Sequence, residues 1–126
     1  MATALAAKQQ MFGATPAPGG VRFRVWAPAA AAVTLVIHDG AAAGTYSLPC
    51  GESGQFDRIV DGAAAGDRYS YRIDDGVERP DPASRFQPEG VHGPSQVIDP
   101  EAFEWSDGHW GGRSARDLIV YELHVG

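Results

Sequence analysis

The sequence predicts an all-β protein with the architecture of an antiparallel β-sandwich. Short runs in which apolar and polar residues alternate recur along the chain, and Gly, Pro and Asp residues separate them. No stretch carries the 3.6-residue period of an amphipathic helix. Strands of this kind, spaced by turn residues, are typical of a sandwich of two antiparallel sheets.

The alternation identifies the strands in order. Residues 21–26 and 33–37 have apolar side chains at every second position, which is the period of a half-buried strand. A weaker run around residues 46–48 is followed by further strands at residues 55–60 and 68–73. Most of the core is expected to come from the inward-facing residues of the clearest strands: Val21, Phe23, Val25, Val33, Leu35, Ile37, Tyr69, Tyr71 and Ile73.

The second half of the chain is irregular until its last residues. Residues 80–94 combine X-Pro steps with glycines, which predicts an ordered excursion or a linker, and Val97-Ile98 is expected to form a short strand. Residues 118–125 are nearly continuous in β-forming residues, as in a strand of a parallel sheet that is buried on both faces. We therefore expect the polypeptide to be a fragment that ends just after a larger domain begins. The alternative is that this run is the last strand of the sandwich.

These segments predict a division of the chain into consecutive parts. A flexible leader occupies residues 1–11, and the sandwich occupies residues 12–79. An ordered loop and linker at residues 80–117 packs towards the next domain, of which residues 118–126 form the first strand.

Composition excludes several classes of partner. The 126 residues carry a net charge of -6, which is the wrong sign for binding a phosphate backbone, so nucleic acid is not expected as a partner. The sequence also lacks a run long enough to span a membrane and the charge order of a secretory signal. Cys50 is the single cysteine, so an intrachain disulfide cannot form and a cytoplasmic location is expected.

Residues that could carry chemistry do not combine into an active site. The four histidines lack the spacing of metal ligands, and Cys50 has no neighbouring histidine. Acidic residues cluster near one turn, where they are interpreted as solvated: Asp74, Asp75, Glu78 and Asp81. We therefore predict no catalytic residue, no cofactor and no metal site.

Aromatic and basic side chains are the remaining candidates for recognition. Aromatic faces stack on sugar rings through the same apolar contacts that bury them in protein cores, so packing in a core or against a neighbouring domain is the alternative for each of them. The candidate contacts with a carbohydrate or with another domain are Arg85, Phe86, His92, Trp105 and Trp110.

Several motifs together resemble a known enzyme group. Phe23-Arg24-Val25-Trp26-Ala27-Pro28 is similar to the opening of the early-set, immunoglobulin-like N-terminal domains of α-amylase superfamily enzymes, such as branching and debranching enzymes. Tyr121-Glu122-Leu123-His124-Val125-Gly126 resembles the first strand of their (β/α)8 barrel. The segment of residues 80–95, with Phe12-Gly13-Ala14, is more specific and resembles the malto-oligosyltrehalose trehalohydrolases.

That resemblance implies a function for the parent protein and a supporting role for this chain. The parent would be a glycoside hydrolase that releases trehalose from malto-oligosyltrehalose, with its catalytic carboxylates on later strands of the barrel. The chain itself would be a non-catalytic accessory domain, and its partner would be the barrel of the same polypeptide. Glucan-binding members carry an aromatic platform where this chain has residues 38–43 without an aromatic, which disfavours direct sugar binding.

The alternatives from other classes are a self-standing α-glucan-binding module and an immunoglobulin-like domain for protein interaction. The N-terminal domain of a related branching or debranching enzyme is a further alternative within the superfamily.

Overall fold

The computed structural model describes residues 11–126 and confirms the all-β prediction. Two short 3-10 helices, Glu52–Gly54 and Ala115–Asp117, are the helical elements of the described residues. The strands in chain order are β1 (Gly13–Ala17), β2 (Gly20–Trp26), β3 (Val33–Ile37), β4 (Gly44–Leu48), β5 (Gln55–Asp61), β6 (Arg68–Ile73), β7 (Glu78–Arg79) and β8 (Ser95–Gln96). The predicted leader lies outside the described residues, except for its last residue, Met11.

The strands form two antiparallel sheets. The first sheet has the order β1-β2-β5, and the second has the order β4-β3-β6. Two short strands share the remaining edge of β6, because β7 pairs with Tyr71 and Arg72 whereas β8 pairs with Arg68 and Tyr69. The segment after the predicted boundary at residue 79 therefore contributes to the second sheet.

One hydrophobic core lies between the sheets. Phe23 of β2 and Leu35 of β3 are both 0% exposed, and the rings of Phe23 and Tyr69 meet edge to face across the sandwich at 5.0 Å. Burial of a side chain of this size stabilises the fold by about 1.5–3 kcal/mol. Eight of the nine predicted core residues are buried, and they make up half of the sixteen buried hydrophobic residues in the part of the chain that the structure describes.

Ile73 does not belong to this core, contrary to the prediction. It is the last residue of β6 and is 41% exposed. Asp74, which follows it, has a positive φ of 51°, and its side chain accepts hydrogen bonds from the backbone N–H groups of Ala31 and Ala32. The strand therefore turns away at the end of the sandwich, where the facing sheet no longer covers it.

The other differences between the predicted and the observed strands concern strands that are short or have a weak sequence pattern. β1 contains Gly13 and Pro16, which are poor β-formers, and Pro16 is tolerated because β1 is an edge strand. β7 has only two residues and was not predicted, and the strand predicted at Val97-Ile98 is displaced, because the pairing residues of β8 come just before it. Val97 is nevertheless buried in the core at 1% exposure.

Residues 118–126 form no strand in the structure. Ile119 is 99% exposed and Val125 is 91% exposed, and neither sheet includes them. The alternative that this run is the last strand of the sandwich is therefore wrong. Its assignment to a following barrel stays a prediction.

Candidate functional site

The loop of residues 80–94 is held on the sandwich by a buried carboxylate. Asp81 is 3% exposed, and its Oδ2 accepts a hydrogen bond from the Tyr69 hydroxyl at 2.7 Å. The backbone N–H of Ala83 donates to Oδ1 at 2.7 Å, and the backbone N–H of Asp81 donates to Ser95 Oγ at 3.0 Å. The interpretation of Asp81 as a solvated turn residue is therefore wrong, because the loop folds this side chain into the protein.

Burial determines the electrostatics of this cluster. It raises the pKa of Asp81, although the hydrogen bond from Tyr69 opposes the shift. The pKa of the Tyr69 hydroxyl is also raised, first by burial and then by the charge of Asp81. With its two carboxylate oxygens engaged and little surface exposed, Asp81 is suited to anchoring the loop and not to contacting a substrate.

Arg85 fastens the same loop to the edge of β1. Its Nη1 donates to the Ala14 carbonyl at 2.8 Å, and its Nη2 donates to the Phe12 carbonyl at 3.5 Å. Gly13 lies between these carbonyls with a φ of +93°, and a Cβ there would come within 3.0 Å of the Ala83 carbonyl. The motif at residues 12–14 and the long loop are therefore parts of one packed unit.

An apolar groove opens next to this unit. It encloses about 290 Å³ and is lined by Phe12, Val25, Trp26, Asp81, Pro82 and Ala83. We call it the Trp26 groove. Trp26 is 59% exposed, yet its indole Nε1 donates to the Ser53 carbonyl at 2.9 Å, which fixes the ring orientation. The groove is thus lined by an aromatic side chain whose orientation is fixed by a hydrogen bond.

A second, polar cavity lies on the outer face of the second sheet. It encloses about 150 Å³, and His38, Ser70, Glu78 and His92 are among its lining residues. Ser70 Oγ donates to Glu78 Oε2 at 2.9 Å and lies 2.9 Å from His38 Nε2. The hydrogen bond from Ser70, assisted by one from Arg72 and opposed by burial, lowers the pKa of Glu78.

The order of groups in this cavity does not fit a nucleophilic triad. In a triad the histidine stands between the serine and the carboxylate, so that it takes the serine proton while the acid orients it. Here Ser70 Oγ lies 2.9 Å from both His38 Nε2 and Glu78 Oε2, and those two atoms are 3.7 Å apart. The cluster can bind polar groups by hydrogen bonds, but it lacks the serine–histidine–carboxylate order of a triad.

The structure distributes the predicted contact residues over separate places. Arg85 lies at the edge of β1, and His92 lines the polar cavity. Phe86 is 49% exposed, and its carbonyl accepts a hydrogen bond from the backbone N–H of Gln96. Trp105 and Trp110 are 74% and 68% exposed, and Trp105 meets Phe103 edge to face at 4.9 Å. A contact role for each of these five residues stays a prediction.

Phe12 and Trp26, which line the groove, are not among the five predicted contact residues. The position of Trp26 was a usable signal, because a large aromatic on the outward side of an alternating strand is exposed unless another element covers it. Phe12 offered no such signal, since its surroundings depend on the long-range contacts of Arg85.

Residues 11–126 contain no group of three or more His, Cys, Asp or Glu side chains placed to hold a metal ion. They also contain no helix with the length and apolar character needed to cross a membrane.

Comparison with known proteins identifies the family. Residues 11–100 match the model of carbohydrate-binding module 48, the isoamylase N-terminal domain. The chain belongs to the carbohydrate-binding module 48 family. Family membership agrees with the two-sheet fold and with the motif at residues 23–28 that suggested this group of domains.

Longer proteins contain regions similar to this module 48 domain. A malto-oligosyltrehalose trehalohydrolase of Saccharolobus solfataricus is 46% identical over 107 residues, which cover 85% of this chain and 18% of that protein. One from Deinococcus radiodurans is 39% identical over 116 residues, covering 90% of this chain and 18% of that protein. The chain thus spans less than one fifth of these relatives, and the predicted resemblance to trehalohydrolases is confirmed.

A solved structure supports the same relationship. The crystal structure of a protein described as an alpha amylase from Salmonella typhimurium superposes with a TM-score of 0.78 at 36% identity. The match covers 91% of this chain and 19% of that one. The module 48 domain therefore has its fold counterpart inside a much larger polypeptide.

Proposed function

We propose that this module 48 domain is the non-catalytic N-terminal accessory domain of a glycoside hydrolase that releases trehalose from malto-oligosyltrehalose. The observation that carries the proposal is the 46% identity to a trehalohydrolase over 85% of the chain. In this proposal the sandwich is of the early-set, immunoglobulin-like type, the enzyme is cytoplasmic, and the partner of the domain is the catalytic barrel of the same polypeptide.

The described residues support an accessory role. Retaining glycosidases act through two carboxyl groups about 5–5.5 Å apart that flank the scissile bond. The buried Asp81 is engaged by Tyr69 and Ala83, and Glu78 is engaged by Ser70 and Arg72. These carboxylates serve the fold, so the proposal places the catalytic pair elsewhere in the enzyme.

The character of residues 118–126 supports the proposed barrel. Leu118, Ile119, Val120, Tyr121, Leu123 and Val125 are all exposed. Such a β-forming run is stable when neighbouring strands and helices cover both of its faces. We propose that this segment is the first strand of the catalytic (β/α)8 barrel.

Trehalose release tests the proposal. We expect a polypeptide that contains this domain and the following catalytic part to release trehalose from malto-oligosyltrehalose, and we expect residues 1–126 alone to release none. Barrel active sites are assembled from the ends of several strands, which explains the second expectation. Hydrolysis by residues 1–126, or a longer polypeptide whose products lack trehalose, would contradict the proposal.

Binding of α-glucan by the domain itself is the second candidate function, favoured by the description of the family as a carbohydrate-binding module. Against it, residues 38–43 provide no aromatic side chain for stacking. We expect an affinity for malto-oligosaccharides no better than about 1 mM, or about -4 kcal/mol. Calorimetry on residues 1–126 and on the Trp105→Ala and Trp110→Ala variants measures it. Micromolar binding that either variant abolishes would make glucan binding the primary function.

A further inference from the structure

The Trp26 groove has the properties of a docking surface for protein. We propose that it receives apolar side chains from the catalytic part of the same polypeptide. This inference rests on the proposed function and deepens it, because it names the face of the sandwich that meets the catalytic part.

The groove exposes aromatic surface to solvent. Trp26 is 59% exposed and Phe12 is 39% exposed, and both line one groove. An aromatic side chain can contribute about 150–250 Å² of contact area when it is buried, so exposure of these rings leaves much apolar surface in water. Apolar surface collected in a groove marks an interaction site more strongly than scattered apolar residues do.

Hydrogen bonds preorganise the residues that line the groove. The Ser53 carbonyl holds the indole of Trp26, and Arg85 holds the backbone of Phe12. The lining residues Pro82 and Ala83 follow Asp81, which is anchored by Tyr69. A surface fixed in this way loses little conformational entropy when a partner binds, and low entropy loss strengthens association.

The polar groups of the groove bear on the chemistry of the occupant. The indole N–H of Trp26 already donates to Ser53, and the Asp81 carboxylate is buried, with each oxygen accepting a hydrogen bond from within the domain. Sugar hydroxyls would therefore meet few accessible polar partners, whereas apolar side chains require none. The similar enzymes are several times longer than this chain, so the remainder of such a polypeptide supplies the occupant.

Hydroxyl-radical footprinting tests the groove directly. Residues 1–126 and the longer polypeptide are labelled under identical conditions, and modification is measured at Trp26 and Phe12 by mass spectrometry. Ile59 and Val77, which are 48% and 67% exposed and lie outside the groove, serve as reference positions. We expect labelling of Trp26 and Phe12 to be about fivefold slower in the longer polypeptide, because docking excludes water from the centre of an interface.

Variants add a second readout. We expect Trp26→Ser to lower the melting temperature of the longer polypeptide by more than it lowers that of residues 1–126, and Ile59→Ser to affect the two alike. Equal labelling of Trp26 in both forms, or an equal effect of Trp26→Ser on both, would overturn the proposal. Protection of Trp26 in residues 1–126 by added malto-oligosaccharide would overturn it in favour of a sugar occupant.

The outcome for the groove is distinguishable from the outcome for the proposed function. Release of trehalose without protection of Trp26 leaves the proposed function intact and rejects the groove. Protection without trehalose release supports the groove and rejects the proposed reaction. A reading frame that encodes no catalytic part after residue 126 would overturn both.

Discussion

Removal of the Tyr69 hydroxyl tests whether the hydrogen bond to Asp81 stabilises the loop on the sandwich. The bond is 2.7 Å long and buried, and its acceptor is a carboxylate. Hydrogen bonds to charged groups contribute about 1.5–3 kcal/mol, so we expect Tyr69→Phe to lower the free energy of unfolding by about 2 kcal/mol. For a domain of this size each kcal/mol corresponds to about 4–8 °C, which predicts a melting temperature lower by about 10 °C.

Tyr71→Phe is the matched control. Tyr71 is 2% exposed, its ring lies 5.8 Å from that of Tyr69, and its hydroxyl makes no hydrogen bond within residues 11–126. Loss of this hydroxyl removes a buried polar group without breaking a bond, so we expect a stability equal to or slightly above that of the natural sequence. Thermal unfolding followed by circular dichroism measures both variants.

The pH dependence gives a further check on the same pair. The pKa of Asp81 is raised in the folded state, chiefly by burial. Ionisation of Asp81 therefore lowers the stability of the fold as pH rises above about 4, whereas below that pH the protonated carboxyl has no such effect. Because Tyr69 lowers this pKa, Tyr69→Phe should raise it further. The defect of Tyr69→Phe should therefore be larger at pH 7 than near pH 4. Equal melting temperatures for Tyr69→Phe and Tyr71→Phe at pH 7 would refute the reasoning.

Other perturbations address the core, the surface charges and the end of the chain. Phe23→Ala should cost about 3–5 kcal/mol, because it leaves a cavity beside Tyr69, and an unchanged melting temperature would contradict the packing of the core. The pKa of Asp57 is lowered, because hydrogen bonds from Arg24 and Arg22 outweigh the opposing effect of burial. The ionised Asp57 carboxylate therefore stabilises the fold at neutral pH, and this stabilisation is lost as pH falls through the lowered pKa. In Asp57→Asn this acid-sensitive contribution should disappear, which acid unfolding curves would reveal. Deletion of residues 118–126 should leave the melting temperature unchanged and increase solubility, because an exposed β-forming segment promotes aggregation. A large loss of stability would instead show that the segment packs on the sandwich.

The sequence predicts the elements whose side chains alternate and misses those that depend on distant contacts. β2, β3 and β6 follow from local periodicity, because one face of each is buried. The residues of β1 and β7 carry little β signal of their own, and these strands are defined by their pairing with β2 and β6. Local pattern therefore gives the framework of the two sheets but not the strands at their edges.

The candidate surfaces were harder to predict for the same physical reason. Asp81 follows an acidic turn in the sequence, yet its side chain is buried and accepts a hydrogen bond from Tyr69, which lies twelve positions earlier in the chain. Ser70 faces outward by alternation but is 4% exposed, with His38 and Glu78 hydrogen-bonded around it. Such contacts require the pairing of β6 with its neighbours, which no local window of sequence contains.

The position of Arg85 has a consequence for self-association. An edge strand presents backbone carbonyls that a strand from another molecule can bind, and such pairing leads to aggregates. On β1, the guanidinium of Arg85 already bonds the carbonyls of Phe12 and Ala14, and Pro16 supplies no N–H donor. The side chain that fastens the loop thereby also makes the β1 edge of the first sheet a poor template for strand addition.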